Sequence, residues 1–184
     1  DTIVGRATTD TLTNKTLTSP TINGTPSMGA SVITQGTSQA STSGTAIDFT
    51  GIPSWVKRIT VMFNQVSGSG TSLFLVQLGT SGGFEITGYV SVCGNRGTET
   101  TNTTGILATY NGTPNAAWLW SGSVVLCNVS GNNWISSSVV GTSSSGSSFG
   151  NASKSLSGTL DRVRITTVNG IDTFDAGSIN ILYE

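Results

Sequence analysis

The feature that most constrains the fold is a pentad repeat over residues 10–24. In each pentad a threonine stands second and an aliphatic residue third, which spaces Leu12, Leu17 and Ile22 five residues apart. That spacing matches neither the period of a helix nor that of a half-buried strand. The Thr-rich composition favours extended backbone, and Pro20 excludes a helix interior. Because so few aliphatic side chains cannot form a core within one chain, the repeat predicts a thin stalk in which about three copies pack around an axis.

The composition of the chain excludes several classes of function. Charged residues make up only 9% of the 184 residues and the formal net charge is −1, so no basic field attracts nucleic acid or an anionic membrane. The sequence contains no histidine, which excludes His-based metal sites and Ser-His-Asp triads. Its apolar runs are too short for a transmembrane helix. We therefore expect no nucleic-acid partner, no membrane insertion, no metal and no cofactor.

The chain after the stalk alternates strand patterns with turn signals. Ile47 and Phe49 alternate with polar neighbours, and Ile59, Val61 and Phe63 share one face of a second strand. No segment repeats apolar residues at helical spacing over three turns. These patterns predict an all-β fold, with an antiparallel, jelly-roll-like β-sandwich as the head.

Several other segments carry specific expectations about this head. Residues 73–78 are apolar on both faces, which predicts a central strand of a packed pair of sheets. Residues 118–129 form the longest strand-like run, and residues 68–70 (Gly-Ser-Gly) read as a hairpin loop. Residues 94–105 are polar, as in a long loop or an edge, and residues 141–157 read as a Ser/Gly-rich loop.

Changes in composition divide the chain into three parts. Residues 1–30 contain the predicted stalk, residues 31–44 form a linker, and residues 45–184 form the predicted head. This length suits one compact domain with an appendage. Cys93 and Cys127 lie in apolar strand-like runs, which fit a disulfide or, as the favoured alternative, buried free thiols.

Two parts of the chain resemble a known family. Residues 9–22 read TDTLTNKTLTSPTI and resemble the shaft repeat of tail fibres and receptor-binding proteins of tailed bacteriophages. Residues 160–170 and 174–184 resemble the segment that closes the β-sandwich tips of such fibres. These stretches cover about a fifth of the chain. Residues 94–157 resemble nothing known, as expected for a part that contacts a variable receptor.

The resemblance implies a homotrimer in which three chains intertwine in a short β shaft around Leu12, Leu17 and Ile22 and carry three sandwiches at the tip. It implies a component of the virion tail, assembled in the bacterial host cytoplasm, that joins upstream tail or baseplate proteins. Its function would be host attachment through a bacterial surface glycan or an outer-membrane protein. The alternatives are an assembly module without receptor binding and, less favoured, a glycan depolymerase.

Aromatic and amide side chains are the first candidates for receptor contacts. Trp118 and Trp120 fall on one face of a strand and would offer a platform for sugar rings, although core packing or a subunit contact is the favoured alternative. Tyr110, Asn111 and Asn115 precede them in a polar loop, where a plain surface turn is the favoured alternative.

Charged side chains are the second group of candidates. Arg96 and Glu99 are the only charges in a long polar stretch, and loops at a sandwich end commonly carry binding groups. Arg162 and Arg164 share a strand face opposite Val163 and Ile165, where they would clamp a phosphate or an acidic sugar. The favoured structural alternative is that they pair with Asp161, Asp172 or Asp175 of a neighbouring chain or are solvated. Because the acidic residues are scattered rather than paired as glycosidases require, we expect no enzyme.

Overall fold

The computed structural model describes residues 33–110, 115–144 and 146–184. Asn111 and the predicted shaft core of Leu12, Leu17 and Ile22 lie outside the described residues. The described residues form strands and no helix, which confirms the predicted all-β class. The strands are β1 (Thr34–Gln35), β2 (Gln39–Ala40), β3 (Ala46–Thr50), β4 (Arg58–Gly68), β5 (Phe74–Thr80), β6 (Gly83–Phe84), β7 (Tyr89–Asn95), β8 (Thr98–Asn102), β9 (Ile106–Leu107), β10 (Trp120–Ser130), β11 (Asn133–Thr142), β12 (Ser147–Ser155), β13 (Arg162–Thr167) and β14 (Phe174–Tyr183).

The strands form two antiparallel sheets. The large sheet has the order β1-β14-β4-β10-β11-β12-β7-β8, and β2 also pairs with β14. The small sheet has the order β3-β13-β5-β6, and β9 also pairs with β5. Each sheet turns one face towards a shared apolar core, as in a β-sandwich.

Alternating side chains build this core as the sequence predicts. Ile59, Val61 and Phe63 of β4 point inwards and are buried, whereas their neighbours on the strand are more exposed. Ile47 and Phe49 do the same on β3. The expectation of a central strand is confirmed for β5, which is buried from Phe74 to Gly79 and pairs with β13, β6 and β9.

Residues 68–70 do not form the predicted hairpin. They connect β4 to β5, and these two strands lie in different sheets. The glycines turn the chain across the sandwich, where Phe74 stacks on Phe63 with ring centroids 6.5 Å apart. The sequence thus predicts the turn correctly, but the two strands that the turn connects do not pair with each other.

The prediction of a loop over residues 141–157 is wrong. Most of it belongs to β12, which pairs with β11 on one side and β7 on the other. Strand β12 turns Phe149 outwards, with 59% of its surface exposed, and Lys154 inwards, with only 7% exposed. Since this reverses the usual sides of apolar and charged residues, the strand shows no amphipathic pattern in the sequence.

Strand pairing shows the secondary structure of two further segments. Residues 94–105 contain β8, at the edge of the large sheet, so the edge alternative is confirmed. Residues 34–40, within the predicted linker, run along β14 as β1 and β2. Cys93 and Cys127 are both free thiols, and burial raises the pKa of Cys93 to about 11.

The strand registers define two opposite ends of the sandwich. Thr34 pairs with Tyr183, which pairs with Ile59, so the chain enters the described part at what we term the Ile33 end. At the opposite end Trp120 pairs with both Val66 and Thr142. We term this the Trp118 end, since Trp118 lies just before β10.

Candidate functional site

The two candidate tryptophans lie at the Trp118 end but differ in burial. Trp120 is 6% exposed and belongs to the core, whereas Trp118 is partly buried against it. Their rings meet nearly edge to face, with centroids 6.2 Å apart and planes at 69°. The core alternative therefore holds for Trp120, and only Trp118 presents ring surface to a ligand.

Asn115 lies beside Trp118, whereas Tyr110 packs against Leu75, Cys93 and Leu107. Asn115 is exposed, and its side-chain oxygen accepts a hydrogen bond from the Ala117 amide at 2.9 Å while its carbonyl accepts one from the Trp118 amide at 3.1 Å. The amide of Tyr110 donates to Ser148 Oγ at 2.8 Å, and that hydroxyl donates back to the Tyr110 carbonyl at 2.6 Å. These bonds fix the two ends of the predicted polar loop.

Arg96 and Glu99 lie at the same end of the sandwich but farther across the large sheet. Arg96 occupies the tight turn between β7 and β8 with φ 37°, and Gly97 follows with φ 91°, as a two-residue hairpin turn requires. Both Arg96 and Glu99 are exposed. Strands β12 and β11 separate the β7 end of this turn from β10, a distance of about 14 Å at about 4.8 Å per strand, and Glu99 on β8 is one strand farther away. Arg96 and Glu99 therefore share a surface with Trp118 and not a pocket.

A cleft that the sequence did not predict, termed here the Gln65 cleft, lies at the Trp118 end. It has a volume of about 300 Å³ and is lined by Gln65, Leu119, Ser121, Gly141, Thr142 and Ser143. Gln65 has φ 51°, which is uncommon for a residue other than glycine, and its amide donates to Ser121 Oγ at 3.0 Å. The lining is uncharged and rich in hydroxyls, and the volume lies at the lower end of the range for small-ligand sites.

Only the backbone geometry marks this cleft as unusual. Strand β4 is irregular in its pairing with β14 and with β10 near Gln65. Such irregularities redirect side chains and occur preferentially near functional sites. A sequence reader sees only Asn64-Gln65 interrupting an apolar strand, which is a weak signal.

A groove lies at the Ile33 end. Its volume is about 420 Å³, and its lining includes Thr37, Gln39, Asp48 and Tyr183. Trp55 is 52% exposed and contacts Tyr183, with ring centroids 5.9 Å apart. The groove therefore has an aromatic side, but it lies where the chain enters the described part and away from the predicted candidates.

The two candidate arginines are used within the chain. Arg164 forms a bidentate ion pair with Asp48 at 2.8 Å and lies 4.1 Å from the centre of the Phe84 ring. Arg162 pairs with Asp161 at 2.6 Å. The hydrogen bond to Asp48 raises the pKa of Arg164. Both arginines thus pair with aspartates, as one structural alternative expected, but their partners Asp161 and Asp48 belong to the same chain and not to a neighbour.

A buried charge cluster joins the two sheets near the Ile33 end. Lys154 Nζ lies 2.5 Å from Glu85 Oε2 and 5.3 Å from the centre of the Tyr89 ring. The Tyr89 hydroxyl accepts from the Leu78 amide at 2.7 Å and donates to the Glu85 carbonyl at 2.9 Å. Burial alone would raise the pKa of Glu85, but hydrogen bonds from Lys154 and Ser157 outweigh it and lower the pKa. With every group partnered, this cluster is a structural cross-link.

Within the described residues, no group of three or more histidine, cysteine, aspartate or glutamate side chains is arranged to hold a metal ion. Nor does this part of the chain contain a helix suited to crossing a membrane. Comparison with known proteins gave no matching family model, curated protein or solved structure.

Proposed function

We propose that this chain is the tip of a bacteriophage tail fibre, a homotrimer that binds a bacterial surface glycan or outer-membrane protein during host attachment. The observation that carries the proposal is the gathering of candidate contacts at one end of the sandwich. Trp118, Asn115, Arg96 and the Gln65 cleft all lie at the Trp118 end, whereas the chain enters at the Ile33 end. A fibre tip needs this polarity, because its attachment and its contact surface must be at different ends.

The chemistry of the Trp118 end supports a neutral saccharide as the ligand. The exposed part of an indole ring stacks on the apolar face of a sugar, and hydroxyl and amide groups bond its hydroxyls. The Gln65 cleft supplies such groups with no charge in its lining. The finer fold class of the proposal, a jelly-roll-like head on an intertwined shaft, is supported by the two antiparallel sheets and by the pentad repeat.

The proposal is tested by binding of the labelled full chain to bacteria and to their extracted surface glycans. Trp118→Ala is expected to weaken binding about tenfold, since loss of one stacking contact removes about 1.4 kcal/mol. Trp55→Ala is the matched control, because Trp55 is an exposed tryptophan at the Ile33 end. Equal losses in the two variants, or no binding to any strain of a broad panel, would contradict the proposal.

A further inference from the structure

The outward face of the large sheet is apolar at its centre. Four side chains on it are about half or more exposed, namely Val90 (74%), Phe149 (59%), Val139 (54%) and Ile135 (49%). The registers place them on adjacent strands, because Val139 pairs with Phe149, and Ser153 pairs with both Ile135 and Val90. They form two apolar groups on this face, Val139 beside Phe149 and Ile135 and Val90 on either side of Ser153, with the row of Ser137, Asn151 and Val92 between the groups.

The registers also show which other side chains lie on this outward face. One cross-strand row runs from Leu182 through Thr60, Val125, Ser137, Asn151 and Val92 to Thr101. A second row contains Asn180, Met62, Ser123, Val139, Phe149, Gly94 and Glu99. Among the described residues in these rows the only charge is Glu99, on the edge strand. A third row begins with Arg58, which is paired with Glu184 at the opposite margin.

We propose that this outward face, termed here the large-sheet face, is the contact surface between heads in the homotrimer. The inference rests on the proposed homotrimer and adds to it the surface through which copies meet. Identical charged surfaces would repel one another, whereas a neutral face of Val, Ile, Phe, Ser and Thr that is turned towards a three-fold axis can meet the same face of two other copies, with each half contacting one neighbour. Exposed apolar side chains gathered on one face typically mark a protein contact.

The size of the face fits a contact between subunits. Eight strands spaced about 4.8 Å apart, each contributing about five residues at about 3.3 Å, give a flat area of about 600 Å². Side-chain relief increases the accessible area, which brings it close to the roughly 800 Å² that each partner buries in a stable interface. The predicted stalk offers only Leu12, Leu17 and Ile22 as regular apolar groups, too few to cover such a face.

Thiol labelling of the full chain tests this proposal independently of whether the stalk alone holds the trimer. In a Cys127→Ser background, which removes the half-buried native thiol, the variants Val139→Cys and Ile171→Cys are compared under reducing conditions. Val139 is on the large-sheet face, and Ile171 is a matched control that is 75% exposed in the turn before β14. We expect Val139→Cys to react about tenfold more slowly, because a contact that opens only part of the time shields the thiol. Phe149→Cys replaces Val139→Cys if the latter fails to fold.

Molar mass, measured on the same samples, separates the outcomes. A mass three times the 18.8 kDa of one chain with slow labelling at Val139→Cys supports the proposal. The same mass with equal labelling rates overturns the contact surface and leaves the homotrimer standing. A single-chain mass with equal rates overturns both. A single-chain mass with slow labelling overturns the proposal in favour of cover by the chain's own N-terminal residues.

Discussion

The outward faces of the two sheets differ in whether charged or apolar side chains occupy them. On the small sheet, Arg164 and Asp48 form a bidentate pair across β13 and β3, with about a third of each side chain exposed. On the large sheet, Val139 and Phe149 occupy the corresponding outward positions and no ion pair lies between them. Partly exposed ion pairs suit a surface in contact with water, whereas a neutral apolar centre suits a surface covered by another chain. The difference is what the proposed contact between heads requires, since only the large-sheet face would then be covered by another chain.

The largest expected effect comes from removing the charge of Lys154, which points towards the inner side of the large sheet. Lys154→Ala should lower the free energy of unfolding by about 3 kcal/mol, because Glu85 loses the cation that compensates its partial burial. Urea denaturation measures this loss. Lys57→Ala, at an exposed lysine, should change stability by less than about 0.5 kcal/mol. Similar values for the two variants would contradict a distinction between the inner and outer sides of β12 and its neighbours.

A charge placed at the centre of the large-sheet face is expected to have the next largest effect. Ser137→Lys, between Val125 and Asn151, should destabilise the assembled form by about 2 kcal/mol per chain, since an unpaired ammonium would be buried there. The midpoint of thermal unfolding reports it at fixed protein concentration. Thr45→Lys, at an exposed position just before β3, serves as the control. Equal midpoints would show that both outward faces contact water.

Breaking the ion pair of the small-sheet face should have a smaller effect. Asp48→Ala is expected to cost about 1 kcal/mol, because a bidentate pair is stronger than a simple one but solvent screens it. Arg58→Ala removes the more exposed partner of Glu184 and should change stability by less than about 0.5 kcal/mol. Denaturant midpoints of the two variants give the ranking, and the reverse order would contradict the role assigned to the Asp48 pair.

The smallest effect is expected from pH. Because the pKa of Glu85 is lower in the folded chain than its ordinary value of 4.5, its contribution to stability is present above that value. It is lost as the pH falls through the folded pKa, so stability should decline below about pH 5. Glu85→Gln should show a shallower decline between pH 5 and pH 3 in unfolding experiments. If the stability of the wild type and of the variant declined with the same slope, Glu85 would not be a source of the pH dependence.

Sequence reasoning succeeded where one face of a strand is apolar and the other polar. Strands β3, β4 and β13 follow this pattern, so the buried sides of Ile47, Val61 and Ile165 were predictable. It failed at β12, where Phe149 points outwards and Lys154 inwards, because the ion pair that lets Lys154 point inwards involves Glu85, which is distant in the sequence. The hairpin expected at residues 68–70 failed because turn residues do not specify which sheet the next strand joins.

The candidate site was predictable only in part. The pairing of Trp118 with Trp120 is visible in the sequence, but their different burial depends on the loop that precedes Phe74, over 40 residues away along the chain. The Gln65 cleft depends on the backbone angle of one residue and on the pairing of β4 with two other strands. Neither the different burial of the two tryptophans nor the cleft is marked by a local sequence pattern. The alternation of β13 predicted that Arg162 and Arg164 share a face, but not that their aspartate partners lie on the same chain.

The position of β14 has a consequence for the order of events during biosynthesis. Residues 174–183 lie between β4 on one side and residues 34–40 on the other, so without them β1 and β2 have no strand partner and β4 is paired only with β10. Such pairing between distant segments delays folding, because a long loop must close before any contact compensates for it. A ribosome that stalls before residue 174 would therefore release a chain with an open sheet. Only a chain that contains residues 174–183 can complete this part of the large sheet.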